Sequence, residues 1–177
     1  VVLKILSPQV LHKSDVGGVV LNLESADAVQ TAAQDMQSRV RRLLPDAVLA
    51  GFTVQAMVKR PGARELIVGM TTDAVFGPVL LLGAGGTEVE LHRDHAVALP
   101  PLNGSLAQDL IARSGLQPYL ASHRGRPAAN EPALRDCLLR VSRMVCELES
   151  VVEMDINPLL IDADGVVALD ARIRVLA

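Results

Sequence analysis

The strongest constraint on this chain lies near its C-terminal end, where two apolar runs flank Asp162-Ala163-Asp164-Gly165. Asp-Gly between apolar runs calls for a tight β-hairpin. A turn centred on Ala163-Asp164 sets Asn157 opposite Asp170, Asp155 against Arg172 and Glu153 against Arg174. Side chains alternate along a strand, so Glu153, Asp155 and Asn157 share one face. Directly opposed Cβ atoms stand about 4.5–5.5 Å apart. An amide oxygen and a carboxylate converging at that spacing are hard ligands suited to Mg2+ that is also held by substrate phosphates. A solvated ladder of cross-strand ion pairs is the competing reading. It accounts for Glu153 with Arg174 and Asp155 with Arg172, but this register sets Asn157, not a basic residue, opposite Asp170.

Composition limits the possible functions. The 177 residues suffice for one domain or two small lobes sharing a cleft. Half are hydrophobic, yet there are only two Phe, one Tyr and no Trp, so the core must be built from Val, Leu, Ile and Ala. Scarce aromatics and a net charge of −3 with both signs interspersed exclude the stacking platforms and basic footprints of nucleic-acid binding. The most apolar strand, Val79 to Leu82, is far too short to span a bilayer, and no signal peptide is visible, so no membrane association is expected. A strand-like run already begins at Val1, without a Met, which suggests a piece of a longer protein. Cys137 and Cys146 fall in one predicted helix without metal or redox spacing. Reduced thiols and a cytoplasmic location are the expectation.

The predicted elements mix strands and helices. Val1 to Leu6 reads as a strand, 7–18 as a polar loop and Val19 to Leu23 as a second strand. Ser25 caps a helix to about Leu44, with Val29, Ala33, Met36, Val40 and Leu43 at helical spacing. Strands follow at Phe52 to Val58, Glu65 to Met70, Val79 to Leu82 and Val97 to Leu99. Leu106 to Ile111 is helical, 115–129 is loop-rich, and Asn130 caps a helix to about Leu148 with Leu134, Leu138, Val141, Val145 and Leu148 on its apolar stripe. Several hairpins are antiparallel, so the class is α+β. A lobe boundary is expected near Ala56-Met57, giving 1–56 and 57–177.

Other candidates are individually weaker. Lys4 alternates with apolar neighbours in a strand and can serve as a fixed charge for phosphate, or simply face solvent. His12, in a polar loop before Gly17-Gly18, is a candidate phosphate acceptor or general base, or an ordinary surface histidine. Gly83-Ala84-Gly85-Gly86 follows a buried strand as phosphate-cradling loops do, but no P-loop or dinucleotide fingerprint is present, and a tight turn explains it equally well. Glu88, Glu90, His92 and His95 hint faintly at zinc, without thiols or helical spacing. Glu65 is a strand carboxylate facing either ligand or solvent.

Taken together, these residues resemble one family. Lys4-Ile5-x-Ser7-Pro8, His12-Lys13-Ser14-Asp15-x-Gly17-Gly18-Val19, Asp73-x-x-Phe76-Gly77-Pro78, Gly83-x-Gly85-Gly86, Glu153-x-Asp155-Ile156-Asn157-Pro158-Leu159 and Ala168-Leu169-Asp170-Ala171-Arg172 look like the ATP-grasp domain of NDP-forming acyl-CoA synthetases. The succinyl-CoA synthetase β subunit is a more distant likeness. The stretch Leu99-Pro100-Pro101-Leu102-Asn103 is further similar to bacterial protein lysine acetyltransferases, which fuse such a body to a GNAT domain. The resemblance covers essentially the whole chain. It implies an α+β ATP-grasp fold, two lobes gripping a nucleotide, lacking the first strands of the small lobe. It implies ATP or ADP with Mg2+ as cofactors. Lys4 would contact phosphates, and Gln55, Ala56, Met57 and Val58 would grip adenine. Glu65 would approach ribose or phosphate, Gly85 and Gly86 would bind the nucleotide, Asn157 and Asp170 would hold the metal, and His12 would relay a phosphoryl group. The implied activity is an ADP-forming acid–thiol ligase, partnered by a CoA-binding domain or subunit. The alternative is an inactive regulatory domain attached to a GNAT acetyltransferase.

Overall fold

In the computed structural model of the chain, residues 1–10, 13–86, 95–123 and 125–176 are described. The chain divides into two compact units, Val1–Lys59 and Arg60–Ala177. In the first, strands β1 (Val2–Leu6), β2 (Val19–Val20) and β3 (Gly51–Gln55) form an antiparallel sheet in the order β2-β1-β3. Between β1 and β2 runs a short 3-10 turn, Lys13–Val16. Helix α1 (Ala26–Leu43) starts where expected because the Ser25 hydroxyl accepts the Ala28 N–H at 3.1 Å. Its Met36 and Val40 pack on Leu3, Ile5 and Val10.

Leu43, placed on the same stripe by periodicity, is 53% exposed, because the helix has run past the sheet by its last turn. Two strands are shorter than the apolar runs suggested. The second ends at Val20 and the third at Gln55, which pairs with Val2. β1 begins at Val2, so Ala56 to Val58 have no further strand residue opposite them.

The second unit is a six-stranded antiparallel sheet. Its strands are β4 (Arg64–Asp73), β5 (Gly77–Ala84), β6 (His95–Ala98), β7 (Val151–Ile161), β8 (Val166–Ala168) and β9 (Ala171–Val175). The order is β6-β5-β4-β7-β8, with β9 also on β7. Helices α2 (Gly104–Arg113), α3 (Gln117–Leu120) and α4 (Glu131–Glu147) supply the cover of one face. Leu66, Val68, Met70, Leu80, Leu82, Met154, Leu159 and Ile161 meet Leu110, Ile111, Leu120, Leu134 and Leu138 there. The core is aliphatic, as composition required.

Asn103 and Asn130 cap α2 and α4 by accepting the Leu106 and Ala133 N–H groups at 2.9 and 3.0 Å. The segment read as loop-rich contains α3, begun by Pro118 in the first turn, where a missing N–H costs nothing. Leu148 leaves the expected stripe: it is the α4 C-cap and is 49% exposed.

The closing hairpin has the register read from its turn. Asp155 pairs with Arg172, Glu153 with Arg174, Leu160 with Val167 and Ile161 with Val166. Asp162 fixes the turn: its Oδ1 accepts the Asp164 and Gly165 N–H groups at 2.9 and 3.1 Å and a bond from Arg60 at 2.8 Å. The second strand, expected to be continuous, is split into β8 and β9 around Leu169-Asp170. On the other edge of β7, Leu66 faces Leu159 and Val68 faces Ile156, so Ile67 alone opposes Asn157-Pro158. Pro158 has no N–H for the ladder, and the extra residue makes a bulge there.

Leu138 is fully buried and Leu148 is half exposed. Urea unfolding of Leu138→Ala should therefore show a loss of about 2–5 kcal/mol. Leu148→Ala should stay within about 0.5 kcal/mol.

Candidate functional site

The faces of the second sheet are unequal. Leu66, Val68 and Met70 turn to the helices, so Glu65, Ile67 and Gly69 turn to the face the helices leave open. Gly69 pairs with Asp155, so Asp155, and two residues on Asn157, share that face with Glu65. Asn157 is exposed and Asp170 half-buried.

Their backbones are linked directly. The Asn157 N–H donates to the Asp170 carbonyl at 3.2 Å, and the Leu169 N–H donates to the Pro158 carbonyl at 3.0 Å. The ladder toward β8 and β9 thus continues past the bulge, and the expected opposition of Asn157 and Asp170 is present in the backbone. Neighbouring rungs are ionic. Arg174 Nε donates to Glu153 Oε2 at 2.9 Å, and this bond, ahead of the charges of Arg174 and Arg172, holds the Glu153 carboxyl below its usual range. The ion-pair reading of the hairpin face therefore holds for Glu153 and Arg174, beyond the Asp155–Arg172 rung from the amide and carboxylate.

Glu65 lies in a second constellation. Its N–H donates to the Tyr119 hydroxyl at 3.2 Å, and its carbonyl accepts the Gly85 N–H at 2.7 Å. Gly85 has to be glycine: a Cβ there would stand 2.9 Å from the backbone of Glu65 and Leu66. Gly86, at φ +85°, would bring a Cβ to 2.9 Å from Glu65 Oε2. The glycine pair therefore packs on Glu65, Gly85 against its backbone and Gly86 against its carboxylate, rather than only turning the chain. Tyr119, the only tyrosine in the sequence, joins the site although no motif marks it; its rarity and its place next to Pro118 are the signal that sequence offers.

In the other unit, Lys4 is 8% exposed on the central strand, opposite Val19 and Thr53. It alternates with Leu3 and Ile5, which face α1, and so belongs to the other face. The expectation of a solvent-facing lysine is not met. Gln55 ends β3, while Ala56, Met57 and Val58 carry the chain onward, the first exposed and the other two half-buried. His12 lies outside the described residues, as do Glu88, Glu90 and His92 of the faint zinc reading. His95 opens β6 and is exposed. Among the described residues, no group of three or more His, Cys, Asp or Glu is placed to hold a metal. An amide and a carboxylate fit a hard cation that draws its remaining ligands from phosphate and water, and not a zinc cage. None of the described helices is long and apolar enough to cross a membrane.

The chain belongs to the ATP-grasp domain family, whose profile matches residues 1–175. Within that family its kinship is with the ADP-forming acid–thiol ligases, of which it is the ATP-grasp part. It is 38% identical over 172 residues to the β subunit of an ADP-forming acetate–CoA ligase of Pyrococcus furiosus, covering 97% of this chain and 73% of that one. It is similar, at 40% identity and a TM-score of 0.90, to an acetyl-coenzyme A synthetase of Ca. Korarchaeum cryptofilum solved with coenzyme A and Ca-AMPCP. That match covers 99% of this chain and 76% of the other. A second structure of that synthetase, 35% identical with a TM-score of 0.78, holds Mg-AMPPCP with its phosphohistidine segment pointing towards the nucleotide site. It is covered to 76%, against 99% of this chain.

The Gly85 contact is directly testable. Gly85→Ala should push residue 85 away from the Glu65–Leu66 peptide and lower the melting temperature in calorimetry. Gly104→Ala, with nothing within 4 Å of the added carbon, should leave it unchanged.

Proposed function

We propose that this chain binds ATP or ADP with Mg2+ and passes a phosphoryl group between the nucleotide and a histidine during acyl-CoA and acid interconversion. The observation that carries the proposal is the Asn157–Asp170 rung, with Asn157 on the open sheet face that also carries Glu65, whose backbone packs on Gly85 and whose carboxylate packs on Gly86. Glu65 stands two residues along β4 from the bulge at Asn157, roughly 7 Å along the strand and one strand spacing of about 4.8 Å across. A polyphosphate with a bound cation is of that size. In this reading the Asn157 amide oxygen and the Asp170 carboxylate hold Mg2+, which when bound neutralises phosphate charge.

Lys4 supplies a fixed charge to a phosphate, and its burial on the central strand of its own sheet restricts where the ammonium can go. Gln55, Ala56, Met57 and Val58 would line the adenine. In this reading 1–56 serves as the small lobe and 57–177 as the large lobe. His12 is assigned as phosphoryl acceptor: an imidazole nitrogen attacks the γ-phosphorus in line, the bond to the ADP oxygen breaks, and ADP leaves.

The rest of the cycle requires a CoA-binding domain or subunit, in keeping with relatives that are β subunits. The two free cysteines suit a cytoplasmic setting.

In the natural full-length protein, Asp170→Ala should weaken Mg-nucleotide binding much more than nucleotide binding in EDTA, read by calorimetric titration. Equal losses would remove the metal role. Lys4→Ala should weaken both. Given Mg-ATP, the same protein should form an acid-labile, base-stable phosphoprotein. His12→Ala should abolish label on this domain while leaving ATP binding nearly intact. Binding without labelling would replace the catalytic reading with the regulatory one.

A further inference from the structure

Arg64 opens β4 and is 2% exposed, on the helix-covered face with Leu66 and Val68. A buried guanidinium ordinarily meets a carboxylate, because leaving its charge uncompensated costs several kcal/mol. Here Nη2 donates to the Ala121 carbonyl at 2.6 Å and the Pro127 carbonyl at 3.0 Å. The buried Nε finds no acceptor among the described residues. No salt bridge to Arg64 occurs among them either. Arg64 therefore clamps both ends of segment 121–127 with carbonyls alone.

The clamped segment is itself cationic. His123 and Arg126 exchange both backbone hydrogen bonds, at 3.0 and 2.9 Å, and Gly125 sits at φ +82° in the tight turn between them. The Arg126 side chain lies over Gly62, whose added Cβ would touch it at 3.8 Å. Ser122, His123, Gly125, Arg126 and Pro127 line an open cavity of about 370 Å³. An imidazole, a guanidinium and a hydroxyl border it, and among the described residues no carboxylate does. The charge of Arg126 is close enough to add to burial in holding the Arg64 guanidinium below its usual range. The nearby Arg60 is already committed to Asp162 at 2.8 Å. Two guanidiniums with no acid between them among the described residues create a local potential that favours an anion.

We propose that Ser122, His123 and Arg126 form a phosphate-binding subsite, in which Arg126 and His123 hold a phosphate monoester or free phosphate over the Arg64 clamp. A phosphate dianion matches the charge, and its oxygens match the guanidinium fork and the hydroxyl. The subsite is separate from the one proposed for Mg-nucleotide. Arg64 lies on the helix face of β4, whereas Glu65 and Asn157 belong to the open face, so one phosphoryl group does not serve both. The inference does not depend on the catalytic reading.

The test uses the side-chain 1H–13C signals of the four histidines in the full chain. His123 is identified by the signal lost in His123→Gln. Inorganic phosphate is titrated at fixed pH, with ionic strength held by chloride. The His123 signal should shift saturably, and Arg126→Ala should weaken binding by roughly tenfold or more, the loss of one charge-assisted fork. Arg126 is exposed, so the melting temperature should not change. Arg126→Lys should restore part of the affinity.

Parallel titrations with coenzyme A and dephospho-coenzyme A separate the sources. Tighter binding of the former assigns the phosphate to a 3′-phosphomonoester, and no preference assigns the subsite to free phosphate. A linear, unsaturated shift, or the same curve in Arg126→Ala, overturns the proposal.

Discussion

One strand register organises the larger unit. The turn at Asp162 sets the pairing, and from there to Glu153 and Arg174 each residue of β7 faces its partner on β8 or β9 without a slip. A one-residue shift would move every side chain to the other face. Met154 and Leu159 would leave the core, and the amide of Asn157 would turn into the helices. The same strand also pairs with β4, where the ladder does slip, at Asn157-Pro158. The candidate metal ligands thus occupy a place on β7 where the edge toward β8 and β9 is continuous and the edge toward β4 is bulged. Bulges re-aim side chains beside active sites.

The two faces of β4 divide the labour. Leu66, Val68 and Met70 anchor the helices, while Glu65 on the other face is gripped through its backbone by Tyr119 and Gly85 and around its carboxylate by Gly86. Every one of these contacts depends on the absence of a side chain or on a single hydroxyl. That explains why a glycine-rich loop ambiguous in sequence becomes specific in three dimensions. Arg64, one residue earlier, uses the opposite face to secure a basic loop.

What could be read from sequence was local. The hairpin register follows from turn chemistry and a period of two, and the starts of α1, α2 and α4 follow from Ser25, Asn103 and Asn130 with the apolar spacing after them. The rest depended on partners distant in sequence. Leu43 and Leu148 fit their helical stripes but extend beyond the sheets that would cover them. The split of the last strand at Leu169-Asp170, the burial of Arg64 and Lys4, and the role of Tyr119 are set by which strand lies beside which, not by any window of neighbours. Among the candidate residues, the opposition of Asn157 to Asp170 was legible. The wrapping of Glu65 by Gly86 was not, because it joins residues 21 positions apart.

The central claim is that the bulged rung of β7 holds the cation of a bound nucleotide. The most direct test replaces Mg2+ with Mn2+ in the natural full-length protein saturated with ADP, and maps paramagnetic broadening of backbone amides. The account predicts that Asn157, Leu169 and Asp170 broaden first, that Arg126 and Leu138 remain sharp, and that the pattern collapses in Asp170→Ala. Broadening centred elsewhere, or unchanged by Asp170→Ala, would contradict it.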